Sequence, residues 1–221
     1  MKKLNTILIC ILFSTALNAQ TNDAQLWSWV SVNKKVTKDL VGTLEQQVRL
    51  DHNMTFPKNI FTEMRMGYRF NKNIKYTISY RFMNRGQAEG GFITGNRFTG
   101  DLRLRYKNKP FILFYRNRMQ REYRVEEEGI EQINYTRNKL ALALDLDKNF
   151  SPYASFEIYY HLNKAEFNKN RYTLGVEFDL RNRNELEVFY RIQQDYNVNG
   201  RETAYVIGIG FSHSLKRILF K

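Results

Sequence analysis

The sequence predicts an all-β fold, an antiparallel transmembrane β-barrel, from three observations. Behind the N-terminus, nearly every segment alternates apolar and polar residues, so each reads as a strand with one greasy and one charged face. The segments run to about ten residues, enough to cross a bilayer at a tilt. The connections alternate in length, as tight periplasmic turns and longer outer loops do.

Leu40 to Asp51 sets the pattern. Leu40, Gly42, Leu44, Val48 and Leu50 share one face, interrupted only by Gln46. Val41, Thr43, Glu45, Gln47, Arg49 and Asp51 share the other. The remaining strands are expected at Ile60–Phe70, Ile74–Met83, Phe98–Tyr106, Phe111–Tyr123, Tyr135–Leu146, Tyr153–Leu162, Arg171–Leu180, Glu185–Tyr196 and Thr203–Ser212. Their outward faces include Tyr76, Ile78, Tyr80 and Phe82, Leu140 to Leu146 at every second residue, and Tyr172, Leu174, Val176 and Phe178. Tyrosines fall near strand ends and aliphatic residues near the middle, as in a lipid-facing belt.

Before the barrel, residues 1–19 read as a signal peptide. Lys2 and Lys3 supply the positive region, Leu4 to Leu17 is mostly apolar, and Asn18-Ala19-Gln20 marks the cut. The apolar stretch falls short of the about 20 residues that a spanning helix needs. Cys10, the only cysteine, follows Ile9 and belongs to the leader, so the mature chain carries no thiol. Residues 20–39 form an N-terminal segment with a short strand at Trp27–Val32.

Short connections at 71–73, 107–109, 147–152 and 181–184 follow the third, fifth, seventh and ninth segments. Long ones are expected at Asn84–Arg97, Arg124–Asn134, Asn163–Asn170 and Asn197–Glu202. If the last strand ends in the periplasm, Trp27–Val32 would have to begin outside the cell. The expectation is therefore an even barrel over residues 40–221, ten strands from Leu40 onward. Twelve is the alternative, with Trp27–Val32 and part of Leu215–Phe220 included.

Composition fits. The 221 residues suit one domain, with 14 Tyr and 16 Phe and only three prolines, Pro57, Pro110 and Pro152, at strand starts or loops. Mean hydropathy is −0.56, and a barrel with a polar interior is hydrophilic on average. The formal net charge is +13. Nucleic acid is not the expected partner, because the chain is exported and its basic residues lie at alternate positions rather than in a patch. Membrane lipid, anionic lipopolysaccharide and the barrel-assembly machinery are.

The inward faces carry the candidate site, a lumen charge network. Its basic members are Arg49, Arg65, Arg81, Arg103, Arg116, Arg118, Arg137, Arg171 and Arg191, and Arg69, Lys75, Arg105 and Lys139 share those faces. Its acidic members are Glu45, Glu63, Asp101, Glu157, Glu177 and Glu187, joined by Asp51, Asp145 and Asp179. A barrel this narrow fills with side chains, and charges buried there must pair. The expected role is thus a non-catalytic outer-membrane barrel with a salt-bridged lumen. A narrow anion-preferring pore is one alternative, since arginine rings favour anions. A soluble lipocalin-like carrier would place the apolar face inside instead.

A lipid-modifying hydrolase would need a serine and a histidine within hydrogen-bond reach. His161 is inward near Glu157, and His52 and His213 lie at strand ends. Ser212 and Ser214 point away from the face of His213. Ser155 shares a face with His161 but stands roughly 20 Å off along the strand. No His, Cys or carboxylate spacing suggests a metal, and no cofactor is expected. The run Glu126-Glu127-Glu128 reads as a solvated loop.

Trp27 with its short strand, the Glu45/Gln46/Arg49 strand, and strands starting at Arg137 and Arg171 resemble the bacterial domain-of-unknown-function family numbered 2490. The resemblance spans nearly the whole mature chain. It implies a signal-bearing outer-membrane β-barrel of about this length, and no activity.

Overall fold

In the computed structural model, residues 21–87, 90–126, 129–146, 148–196 and 202–215 are described. The expected leader, Glu127 and Glu128 of the acidic run, and residues 216–220 lie outside them. The chain forms β1 (Thr21–Lys35), β2 (Leu40–Asp51), β3 (Phe56–Arg69), β4 (Ile74–Gly86), β5 (Phe92–Asn108) and β6 (Phe111–Glu126). It continues through β7 (Gly129–Leu144), β8 (Phe150–His161), β9 (Glu166–Leu180), β10 (Asn184–Asp195) and β11 (Glu202–Ser214). Each strand pairs antiparallel with the next, and β1 pairs with β11 to close the barrel.

Among the described residues the barrel has eleven strands, neither ten nor twelve, and β1 at Thr21–Lys35 is one of them. An even meander closes antiparallel. An odd one must close with a parallel pair, and here β1 runs parallel to β11 over Thr21↔Glu202 to Asn33↔Ser214. The even count rested on loop lengths, and those also change. β4 and β5 extend to Gly86 and from Phe92, and β6 and β7 to Glu126 and from Gly129, so the expected loops Asn84–Arg97 and Arg124–Asn134 are largely strand.

The seam has a packing logic. Trp27 and Trp29 stand directly opposite Gly208 and Gly210. A Cβ on Gly210 would overlap the Trp29 indole, and one on Gly208 would overlap the Phe189 ring. Glycine in a strand marks a close approach, here of aromatic rings lying flat on the neighbouring backbone. Tyr153 covers Gly175 in the same way, 2.6 Å from the position of an added Cβ.

One rim carries the turns after β1, β3, β5, β7 and β9 together with residue 215; we call it the C-terminal rim. The opposite N-terminal rim carries Thr21. Side chains alternate as the period of two requires. Even-numbered residues of β2 to β5 and β7 to β10 point outward and odd-numbered ones fill the lumen, until bulges in β3 and β9 reverse the parity, so that Asn168 turns inward and Phe167 outward. Every strand exposes an apolar residue outward, among them Val30, Leu44, Met64, Ile78, Leu102, Leu113, Leu142, Phe156, Leu174, Val188 and Ile207. Tyr68, Phe70, Tyr76, Tyr106 and Phe111 are exposed toward the C-terminal rim, and Phe82, Phe98, Phe167 and Tyr172 toward the other. An apolar belt this continuous is far larger than a soluble monomer leaves uncovered.

Candidate functional site

The lumen is built from ionic hubs on one wall and an aromatic cluster on the other. On β3, Glu63 is 1% exposed. It accepts from Arg81 Nε at 2.6 Å and from Arg65 Nη1 at 3.2 Å. Arg65 also donates from Nη2 to Glu45 at 2.7 Å. Glu45 and Glu63 are directly opposite on β2 and β3, so Arg65 bridges two carboxylates that would otherwise repel. Arg118 grips Asp101 with two hydrogen bonds of 2.6 Å each, the bidentate fork that suits arginine.

Glu157 on β8 serves three arginines. Arg137 donates to both its oxygens at 3.0 and 3.1 Å, Arg116 reaches it at 2.6 Å, and Arg171 lies 3.7 Å away. Glu122 on β6 is a second such hub, joined by Arg124 at 2.6 Å, Arg97 at 2.9 Å and Arg85 at 3.2 Å. Sequence reasoning missed this hub. Its signal was the parity of β6: Arg116 and Arg118 point inward, so Glu122 does too. Arg85, Arg97 and Arg124 were lost because the expected strands stopped at Met83, began at Phe98 and stopped at Tyr123.

The remaining predicted members behave differently. Glu187 accepts from the Tyr153 hydroxyl rather than from a cation. Arg103 and Glu177 face the lumen from exposed positions, and no ion pair joins either to another described residue. Arg49 and Arg191 also lack a carboxylate. Arg49 donates to Gln47 at 3.2 Å and stacks 3.8 Å from the centroid of Trp27. Arg191 donates to Thr173 at 2.9 Å and lies 5.0 Å from the same ring, with Arg171 at 5.2 Å.

Trp27 is therefore the centre of the lumen, which its short, isolated predicted strand did not suggest. Its Nε1 donates to Gln25 at 3.1 Å. On its other side it joins Phe189, Ala204 and Val206 in the apolar core, with Trp29 and Tyr153 packed against them.

Two cavities occupy the lumen. One, of about 500 Å³, opens toward Lys58 and Arg124 near the N-terminal rim. The other, of about 520 Å³, extends to Asn33, Val41 and Ser212 near the C-terminal rim. Both are lined by Trp27, Arg49, Arg116, Arg118 and Arg191, so these five form the layer between them. A larger concavity of about 960 Å³ lies on the outer wall, among Met64, Met66, Tyr76, Ile78, Phe98 and Met119, and belongs to the apolar belt.

The three histidines bond groups other than serine. His161 packs edge-on to Tyr135 at 4.7 Å, and its Nδ1 accepts from the Lys164 amide at 3.2 Å. His52 bonds Asp51 at 2.9 Å and His213 bonds Asn184 at 2.7 Å. Ser212 bonds Ser31 across the seam at 2.7 Å. Among the described residues, no cluster of His, Cys, Asp and Glu could hold a metal.

Residues 24–204 match the family described as "Protein of unknown function (DUF2490)". The chain belongs to that family. Among curated proteins, none is similar to it. Of solved structures, the beta domain of the Bordetella autotransporter BrkA is similar at 10% identity and a TM-score of 0.49, over 77% of this chain and 82% of that one. The anion-selective porin from Comamonas acidovorans is similar at 12% identity and a TM-score of 0.39, over 76% of this chain and 55% of that one.

Proposed function

We propose that this DUF2490 member is an outer-membrane β-barrel of a Gram-negative bacterium, with a lumen closed by side chains and no catalytic role. The observation that carries the location is the inside-out polarity of the closed barrel: charges within, an apolar belt on every strand without. A lipocalin-like carrier needs the reverse, an apolar calyx. Lipid and lipopolysaccharide are the partners this reading gives the outer wall, and the assembly machinery is the partner for insertion. The layer of Trp27, Arg49, Arg116, Arg118 and Arg191 between the two cavities supports closure.

The decisive experiment is planar-bilayer recording of the purified chain, alongside gel mobility with and without boiling. We expect a heat-modifiable band and silent bilayers. Leu142→Arg places a charge in the middle of the belt and should cost about 2–4 kcal/mol, seen as loss of the fast-migrating folded band. A chain that purifies without detergent and shows no heat-modifiable band defeats the membrane reading.

A narrow anion-preferring pore is the second reading. The surplus of arginines around Glu122 and Glu157 favours it, since arginine rings select anions. Steady single-channel currents that prefer chloride to potassium would replace the closed-lumen reading with this one.

A further inference from the structure

We infer that the lumen holds a binding site for a small oxyanion, a ligand bearing phosphate or carboxylate groups, between Arg49 and Arg191 at the Trp27 ring. The inference requires only that this face is the barrel interior, and it stands whether or not the barrel lies in the outer membrane.

The argument starts from charge balance. Glu63, Asp101, Glu122 and Glu157 are each matched by at least one arginine. Arg49 and Arg191 are matched by none. The groups they bond or stack on are neutral: Gln47, Trp27 and Phe61 for Arg49, and Thr173, Trp27 and Phe189 for Arg191. Three guanidiniums thus share one indole, and two of them have no carboxylate partner.

Hydrogen bonding points the same way. The Nε of Arg49 and the Nε of Arg116 are buried without an acceptor, and both residues belong to the layer between the cavities. A buried charged donor without a partner is costly, and an anion within the layer would remove that cost. Stacking on Trp27 fixes the Arg49 guanidinium plane, while the planar fork suits phosphate and carboxylate oxygens.

Access and room complete the case. The cavity of about 500 Å³ on the N-terminal side is within the size range of small-molecule sites. Near its mouth Arg97 and Arg124 share the single carboxylate of Glu122, and that surplus of positive charge would draw anions inward.

The test uses the folded barrel in detergent, with Trp29→Phe leaving Trp27 as the sole tryptophan. Inorganic pyrophosphate and citrate are titrated at constant ionic strength, with chloride as the balancing salt. We expect a saturable change in Trp27 emission. Its midpoint should rise about tenfold in Arg49→Gln and in Arg191→Gln, as the loss of one charge-assisted hydrogen bond implies. Arg103→Gln, which lines only the other cavity, should leave it unchanged.

No saturable change, a change that chloride reproduces, or equal midpoints in wild type and both glutamine variants would overturn the site. If those variants do not fold, Arg49→Lys decides. It keeps the charge and loses the fork, so an unmoved midpoint also overturns the proposal. A heat-modifiable barrel that binds nothing rejects the site alone. A detergent-free chain that binds rejects the membrane reading alone.

Discussion

The two walls of the lumen are held together by opposite means. On β2 to β8, carboxylates at Glu63, Asp101, Glu122 and Glu157 tie neighbouring strands through Arg81, Arg118, Arg97 and Arg137. On β9 to β11 and β1, the tie is mainly apolar, with an ion pair between Lys169 and Asp195 at 3.0 Å beside it: Trp29 and Phe189 lie on the glycines of β11, and Trp27 packs with Phe189, Ala204 and Val206. The ionic wall is strong only where each charge keeps its partner, because a buried charge left alone is expensive. The apolar wall depends on shape instead, on rings that fit where no Cβ intrudes. The difference coincides with the seam. A parallel pair forms evenly spaced but slanted hydrogen bonds and is slightly weaker per residue, and it is this pair that receives the aromatic packing.

Breaking the ionic wall at its most shared point should have the largest effect. Glu157→Gln keeps the side-chain volume but leaves Arg116, Arg137 and Arg171 without their carboxylate. A loss of about 3–5 kcal/mol is expected, measured as a lower urea midpoint for loss of the folded band. An unchanged midpoint would mean that the lumen is wet enough to solvate the three cations.

The apolar wall should fail to a smaller but distinct perturbation. Gly210→Ala adds one methyl group where the Trp29 indole lies, an overpacking that costs about 1–3 kcal/mol. Trp29→Leu in the same chain should restore part of the loss, because a smaller side chain frees the space. If the double variant is no better than Gly210→Ala alone, the ring-on-glycine contact is not what closes the seam.

These two walls are unequally legible in the sequence. Alternation alone places the lumen face correctly on the long strands, so Glu45, Glu63, Arg81, Asp101, Arg118, Arg137 and Glu157 all read as inward charges, and all are buried in the lumen. That works because the side-chain period is a strict two, and a charged face is easily told from a greasy one. The seam is not legible. In β1 the lumen face is Gln25, Trp27, Trp29 and Ser31 against an outward Leu26, Ser28 and Val30, and both faces mix polar and apolar residues. Periodicity therefore blurs where an aromatic, rather than a charge, points inward. The pairing of Trp29 with Gly210 joins residues at opposite ends of the chain, which no local pattern reports. The Glu122 hub is hidden differently. Its arginine partners lie where strands run past the belt, and there the outward face turns polar at Asn96, Arg121 and Asn134, so the apolar alternation fades while the strand continues.

The smallest expected effect sharpens the comparison within the ionic wall itself. Alternation predicts that Arg103 pairs inside the lumen as Arg137 does. The register instead sets it directly between Lys75 on β4 and Arg116 on β6, and Arg116 in turn faces Lys139 on β7. A row of like charges gains nothing from close packing, and Arg103 relieves it by remaining exposed to the cavity near the C-terminal rim. Arg103→Ala should therefore shift stability by no more than about 0.5 kcal/mol, as surface substitutions do, and a small gain is the more informative sign. Arg137→Ala removes a two-oxygen grip on Glu157, a bond to Gln120 and a stack 4.3 Å from the Tyr159 ring. It should cost about 1.5–3 kcal/mol in the same urea series, the range for hydrogen bonds to a charged group. Equal losses at Arg103 and Arg137 would show that the whole lumen acts as one charge network, and the distinction between paired and solvated arginines would fall.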